Sequence, residues 1–365
     1  MQITENIPVY PNLLFTFTRP TGRLIYSIIM KSPVITIKEL AKLLDLSPTT
    51  VSRVLSGNAK KYRISDATEK LVKKTAKQYQ YEPNQIARNL RLKETNTIGL
   101  VIPDISNLFF ANLARIIEIE LRKRGKLILL SDTHDNSDLE IETLMFLFGK
   151  KVDGMLIAPV GLKSEHLQRF THVPMVMIDR YFTKLSVPYV STDNFAGAYV
   201  ATEYLINKNH SQIACIQGLV NAISNKERVR GFQKAIDDYG ISSENIKIWG
   251  TDFSIENGYN TAKKLLVQAS PPTAIFTLGN QIAIGAMRAI KENGLKIPKD
   301  ISIISFDDQA YFDLTSPPLT TIRQPIDLIG QEAVRILFDL IDGKKTESKL
   351  LPAKLIERSS VELCK

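Results

Sequence analysis

Along most of the chain, short continuous apolar runs alternate with stretches whose apolar residues recur at helical spacing. Ile98–Ile102, Leu127–Leu130, Gly154–Ile157 and Pro174–Ile178 are such runs, and Phe109–Arg124 and Leu139–Phe148 have the helical period. After Asp193 the alternation restarts. A helix runs to Asn207, then strands Ile213–Ile216, Lys247–Trp249, Ala274–Thr277 and Ile301–Phe306 alternate with helices Glu227–Tyr239, Ile255–Gln268 and Gln281–Glu292. Strands that are apolar on both faces belong in parallel sheets covered by helices on both sides. Two such series predict an α/β body with two similar lobes, and ligands in such folds sit beyond the carboxyl ends of the strands, here in the cleft between lobes.

The first hundred residues follow another pattern. In Thr36–Leu44 the residues Ile37, Leu40, Ala41 and Leu44 fall on one face of a short helix. Asp45-Leu46 breaks it, and Ser47 caps a second helix with Pro48 in its first position, where a missing N–H costs nothing. Val51, Val54 and Leu55 face inward there; Thr49, Thr50, Ser52 and Arg53 face outward, until Gly57-Asn58 stops the helix. Two short helices joined this tightly form a helix-turn-helix, whose second helix enters the DNA major groove. Hydroxyls suit phosphates and base edges, and an arginine binds a guanine bidentately. A third helix, Asp66–Tyr79, has Leu71, Val72, Thr75, Ala76 and Tyr79 as its inner stripe and a lysine outer face, read as solvated and supplying field rather than specific contacts. Asn84–Leu90 follows Pro83 and spans about two turns, too short to be stable alone, so it folds only when packed against something. Leu90 is either a linker leucine or a wedge between base pairs in the minor groove.

Charge sharpens this division. The 365 residues carry 47 Lys+Arg against 38 Asp+Glu, a net +9. Residues 31–95 hold 14 basic and 6 acidic side chains, whereas 96–365 are balanced. A neutral body with a basic module points to a discrete head for a polyanion. Two cysteines, Cys215 and Cys364, make neither a disulfide framework nor a zinc finger and fit a reducing cytosol. No run approaches a membrane span, so neither a membrane partner nor a location outside the cytoplasm is expected. Residues 1–30 lack the basic start of a signal peptide. Met30 stands where patterned sequence begins, so residues 1–29 are either upstream sequence or a translated extension.

Catalytic signatures are missing. The sequence has no Gly-x-Gly, no Gly-x4-Gly-Lys-Ser/Thr and no Gly-x-Ser-x-Gly, and its four histidines lack metal-ligand spacing. Neither enzyme activity nor a cofactor is expected. The strand ends instead suit a polyol. Asp179-Arg180 follows one strand, Asp307-Asp308 another, and Arg228 opens the Glu227–Tyr239 helix. Carboxylates and arginines hold hydroxyls, while aromatic rings stack on a sugar's C–H face, with Phe109, Phe110 and Phe253 as platforms. Asp308 is more simply a turn or cap residue.

Two sets of motifs resemble the lactose/galactose repressor family of bacterial transcription regulators. The first is Ile37-x-x-Leu40-Ala41, Leu46-Ser47-x-Thr49-Thr50-Val51-Ser52-Arg53-Val54-Leu55 and Pro83-Asn84-x-x-Ala87-Arg88-x-Leu90. The second includes Ile98–Phe110, Arg228-x-x-Gly231-Phe232, Ile301–Asp308 and Pro318–Pro325. Coverage runs from Ile35 to Val361. The resemblance implies an extension (1–30), a helix-turn-helix head (31–82), a hinge helix and linker (83–95) and a two-lobed, periplasmic-binding-protein-like body (96–365). Lobe 1 would span about 96–192 and 324–354, and lobe 2 about 193–323 and 355–365. It implies base reading at Pro48, Thr49 and Arg53, with Ser47, Thr50, Ser52, Asn84, Ala87 and Arg88 as further DNA contacts and Leu90 as the intercalating leucine. Effector contacts would fall at Phe109, Asp179, Arg228, Phe253, Asn280 and Asp307. In one departure, the family's Asn-Asp or Asn-Asn pair before Gly285 is Gly279-Asn280 here, so no relative's effector carries over. The expected function is repression of a carbohydrate operon by a homodimer on a pseudo-palindromic operator, under a sugar or sugar-derivative effector. No heptad leucines trail the body, which favours a dimer over a tetramer. The rivals are a sugar-binding transport receptor and an enzyme with an appended helix-turn-helix.

Overall fold

The computed structural model describes residues 35–79, 81, 94–161 and 163–365. The chain divides into two compact units, 1–92 and 93–365.

In the first unit, α1 (Ile37–Leu43), α2 (Pro48–Leu55) and α3 (Asp66–Gln78) surround one small core of Leu40, Ala41, Val51, Val54, Ala59, Val72 and Ala76. Helix starts are fixed by side chains. Thr36 and Glu39 form a reciprocal box in which each side chain accepts the other's backbone N–H, at 3.3 and 2.8 Å. Ser47 and Ser65 cap α2 and α3. The reversal between α1 and α2 puts Asp45 at φ 51°, a conformation aspartate tolerates better than most residues. One expectation fails. Leu71 and Tyr79 are exposed, because two short helices cover only the narrow Val72–Ala76 stripe of α3. The expected hinge, Asn84–Leu90, lies outside the described residues.

The second unit contains strands β1 (Thr97–Ile102), β2 (Leu127–Asp132), β3 (Gly154–Ile157), β4 (Met175–Ile178), β5 (Tyr189–Thr192), β6 (Ile213–Ile216), β7 (Ile246–Trp249), β8 (Ala274–Thr277), β9 (Ser302–Phe306), β10 (Thr320–Arg323), β11 (Lys349–Leu351) and β12 (Lys354–Ile356). They form two six-stranded sheets, ordered β11-β5-β4-β3-β1-β2 and β12-β10-β9-β8-β6-β7. Every pairing is parallel except β10 with β12. Helices α4 (Leu108–Lys123), α5 (Ser137–Gly149), α6 (Glu165–Gln168) and α11 (Ile326–Ile341) accompany the first sheet. Helices α7 (Asn194–Asn207), α8 (Ile223–Asp238), α9 (Ile255–Leu266) and α10 (Asn280–Glu292) accompany the second. Each sheet reverses its winding beside its first strand, between β1 and β3 and between β6 and β8. That reversal opens a crevice at the strands' carboxyl ends.

The sequence pattern missed β5, β10, β11, β12, α6 and α11. β5 (Tyr-Val-Ser-Thr) and β10 (Thr-Thr-Ile-Arg) do not look apolar, yet Ser191, Thr192, Thr320 and Thr321 are fully or almost fully buried. Their hydroxyls are paired inside the protein, Ser191 with the Asp179 carbonyl and Thr321 with Asp308, so burial carries little penalty. Another correction concerns α8. It begins at Ile223, so Arg228 stands in its second turn rather than at its opening.

The chain passes between the sheets three times, after Thr192, after Arg323 and after Leu351. These crossings are tied together. The Thr192 hydroxyl donates to Gln324 Oε1 at 2.5 Å, and Asp193 N–H donates to the Leu351 carbonyl at 2.8 Å.

Candidate functional site

On α2, Ser47 Oγ accepts the Thr50 N–H at 3.0 Å and shares a 2.8 Å hydrogen bond with the Thr50 hydroxyl. Both hydroxyls therefore help set the start of the helix. Pro48, Thr49 and Arg53 are exposed beside them, and Ser52 is half-buried. The Arg53 guanidinium lies 3.9 Å from the centroid of the Tyr62 ring. Sequence reasoning did not single out Tyr62; a one-turn segment between α2 and α3 carries no apolar period to flag it.

The second constellation lies in the unit of two sheets. Asp179 and Asp307 are structural equivalents. Each follows the strand third from the β11 or β12 edge of its sheet, β4 or β9. Each donates its N–H to the neighbouring strand, to Val190 O or Ile322 O, both at 3.0 Å. Each has a positive φ, 59° and 70°, which is uncommon for a residue with a Cβ. The same unusual backbone at matching positions of two lobes points to a shared task for the two carboxylates.

Charges from both sheets converge on these residues. Arg228, 2% exposed, donates from Nε to Asn194 Oδ1 at 2.7 Å and from Nη1 to the Leu278 carbonyl at 2.8 Å. Its guanidinium lies 3.8 Å from the centroid of the Phe306 ring and 3.5 Å from Asp307 Oδ1. Gln324 donates to the same Asp307 oxygen at 2.5 Å. Gln324 also receives the Thr192 hydroxyl, so Asp307 is linked by hydrogen bonds to two of the three crossings. Arg180 pairs with Asp135 at 2.5 Å and lies 5.8 Å from the Phe110 ring and 5.9 Å from the Phe253 ring. Its buried Nε has no hydrogen-bond partner, nor does the Gln309 side-chain nitrogen.

Burial pushes the Asp179 carboxyl up to about 6; Arg228 and Arg180 pull it down, while Asp307 and Asp135 push it further up. Its titration is a stability term. Because the folded value lies above the ordinary one, the stabilisation is complete below about pH 4. It is lost as pH rises through about 6. Asp179→Asn is therefore expected to melt higher than wild type at pH 7, by up to roughly 3 kcal/mol, with the gap closing toward pH 4. Thermal unfolding from pH 4 to 7.5 checks this, and parallel curves for the two proteins would contradict it.

Asn280 and Phe253 complete the group. Asn280 Nδ2 reaches Asn107 Oδ1 at 3.2 Å, and that oxygen also accepts the Phe109 N–H at the start of α4. The departure at Gly279 has a packing reason. A Cβ there would lie 3.1 Å from Phe253 Cδ1, and one at Gly218 would lie 2.3 Å from Phe253 Cε1. Two glycines thus let the Phe253 ring lie close against the backbone. The structure brings Asp179, Arg228 and Asp307 together, with Phe253 and Asn280 at the edge of the group. Phe109 packs in the core of the first sheet, and Phe110 is the ring within reach of Arg180. Sequence reasoning missed Asn194, Gln309, Gln324 and Tyr311; burial and the nearby Asp307 charge raise the Tyr311 hydroxyl to about 12. Asp308 is bound to Thr321, Arg323 and Arg358, a structural network.

A helix-turn-helix and a two-lobed crevice of buried, paired charges on one chain define the class of ligand-responsive transcription regulators. Residues 36–84 match the family model for bacterial regulatory proteins of the lacI family, and residues 202–361 match a periplasmic binding protein-like domain. The chain is 32% identical over 333 residues to catabolite control protein A of Priestia megaterium, covering 90% of this chain and 99% of that one. It superposes on the lac repressor dimer bound to operator and the anti-inducer ONPF with a TM-score of 0.82 and 26% identity, over 90% of this chain and 99% of that one. A lacI-family transcriptional regulator from Enterococcus faecium with bound ribose matches at TM-score 0.68 and 32% identity, over 74% of this chain and 100% of that one. The chain belongs to the lacI family of bacterial regulatory proteins; it is a DNA-binding, effector-responsive transcription repressor. A transport receptor has no use for the head, so that alternative is set aside. Among the described residues no helix is long and apolar enough to cross a membrane.

Proposed function

We propose that this repressor is a cytoplasmic, non-enzymatic homodimer that holds a pseudo-palindromic operator and answers to a small polyol, a sugar or sugar derivative, in a carbohydrate-utilisation system. The observation that carries the effector reading is the cluster of Asp179, Arg228 and Asp307, whose buried charges are aligned for hydroxyl groups. Phe253 is its stacking platform, with Asn280 at the margin; Phe109, the other expected contact, packs in the core of the first sheet. Arg180 and Gln309 supply further donors. The ribose held by the Enterococcus faecium relative supports the same ligand class.

On DNA, Ser47, Pro48, Thr49, Thr50, Ser52 and Arg53 form the reading end of α2. Asn84, Ala87, Arg88 and Leu90 would complete the contact through the hinge, which lies outside the described residues. Residues 31–82, 83–95 and 96–365 are assigned as head, hinge and body, with lobes divided at the three crossings. A homodimer is supported by apolar side chains that the first lobe leaves exposed. Edge strand β2 exposes Leu127, Leu129 and Leu130, and α5 exposes Met145, Phe146 and Phe148. A long apolar edge strand is an aggregation hazard unless another surface covers it.

The mechanism runs through the crossings. A hydroxyl bound at Asp307 competes with Gln324 for the carboxylate, and Gln324 is joined to Thr192 on another crossing. The effector thereby changes the relative free energies of the open and closed lobes, by no more than its differential affinity for them. A thermal-shift screen of pentoses, hexoses and nucleosides, followed by operator titration with each hit, tests this reading. A hit that alters operator affinity supports it, and a body stabilised by none of these classes refutes it.

A further inference from the structure

The segment between α2 and α3 is folded back onto the reading helix. Asn58 N–H donates to the carbonyl of Arg53 itself at 2.9 Å. Buried Ala59 anchors the segment, its carbonyl accepting from Ile64 N–H at 3.0 Å and from Tyr62 N–H at 3.2 Å. Arg63 closes the turn at φ 54°, and Ile64 packs against the head core. The loop is thus held at both ends, and its single aromatic ring is set under the Arg53 guanidinium at 3.9 Å. Lys61 Nζ stands 6.0 Å from the same ring. Tyr62 itself is 44% exposed and belongs to no hydrophobic cluster. Core packing therefore does not account for its position.

We propose that Tyr62 is a positioning residue for base reading: its ring orients the Arg53 guanidinium before DNA arrives. A free arginine side chain carries about 2 kcal/mol of rotamer entropy, much of which is lost when it docks on a base. A ring that already holds the planar group lowers that cost. Stacking on an aromatic face does not consume the donors a guanine requires. Tyr62 thereby acts on sequence discrimination at one base position, through Arg53, and not on general attraction to phosphate.

The proposal rests on Arg53 as a base reader, and the experiment separates the two. The full-length protein and its Arg53→Ala, Tyr62→Phe, Tyr62→Leu and Tyr62→Gln variants are each used to select duplexes from a random-sequence library. Base preferences are then compared position by position. The expected result is that Tyr62→Leu and Tyr62→Gln lose discrimination at the base position that Arg53→Ala flattens, by about two- to five-fold, the size of an exposed cation–π contact. Other positions stay unchanged, and Tyr62→Phe, which keeps the ring, matches wild type. If Arg53→Ala flattens a position that both ring-removing variants leave intact, the role of Tyr62 is overturned while Arg53 remains a reader. If Arg53→Ala flattens nothing, the base-reading assignment fails first. A Tyr62→Phe that behaves like Tyr62→Leu would place the effect on the hydroxyl and overturn the stacking role. Stronger selection by Tyr62→Leu would mean that the ring sequesters Arg53, and would also overturn it.

Discussion

Asp307→Asn is expected to abolish the effector response while leaving operator affinity without effector within about two-fold of wild type. The substitution keeps the side-chain shape and the oxygen that accepts from Gln324. It removes the charge that faces Arg228 at 3.5 Å. A hydrogen bond to a charged group is worth about 1.5–3 kcal/mol, so losing one or two such bonds weakens the effector by roughly ten- to more than a hundred-fold. Arg228→Ala reaches the same end less cleanly. It strips the partner from a buried carboxylate and leaves Asn194 Oδ1 and the Leu278 carbonyl without their donor, a loss of about 3–5 kcal/mol in the second lobe. Effector-induced thermal shift and operator binding by fluorescence anisotropy, measured on the same preparation, check this. A normal response in Asp307→Asn would remove Asp307 from the site.

Arg53→Ala is expected to cost about 1–3 kcal/mol at a selected operator, roughly five- to 150-fold. On random duplex the loss should be small, with the salt dependence of binding changing by about one phosphate contact at most. The separation follows from geometry. Arg53 stands on the exposed face of α2 and is one of 14 basic side chains in residues 31–95, so the nonspecific field survives its loss. Titration of both duplexes over a range of salt concentrations provides the check. Equal losses on operator and random DNA would make Arg53 a phosphate contact.

The sequence exposed those parts of the fold whose chemistry repeats locally. The periods in Thr36–Leu55 and the apolar runs at β1, β3, β4, β6, β8 and β9 gave the head and both sheets. Strands with buried hydroxyls were hidden, because Ser191 and Thr320 look like surface residues until their partners are known. The site divided in the same way. Asp179 and Asp307 were visible as carboxylates just past apolar strands. Gln324, Asn194 and Gln309 were not, since a neutral amide in a loop or at a helix start has no spacing that marks it. Their importance comes from contacts 17 positions away for Gln324 with Asp307 and 34 for Arg228 with Asn194. Gly279 was visible as a departure, but its reason, the Phe253 ring against the backbone, required the structure.

A small molecule bound in the body is expected to change how tightly the chain holds its operator. The direct measurement is the operator affinity of the full-length protein with and without a compound that raises its melting temperature. The expected change is about five- to 150-fold, with the same factor when compound affinity is measured with and without operator, because the coupling is reciprocal. A compound that stabilises the wild-type body but not Asp307→Asn, and leaves operator affinity unchanged in both directions, would contradict it.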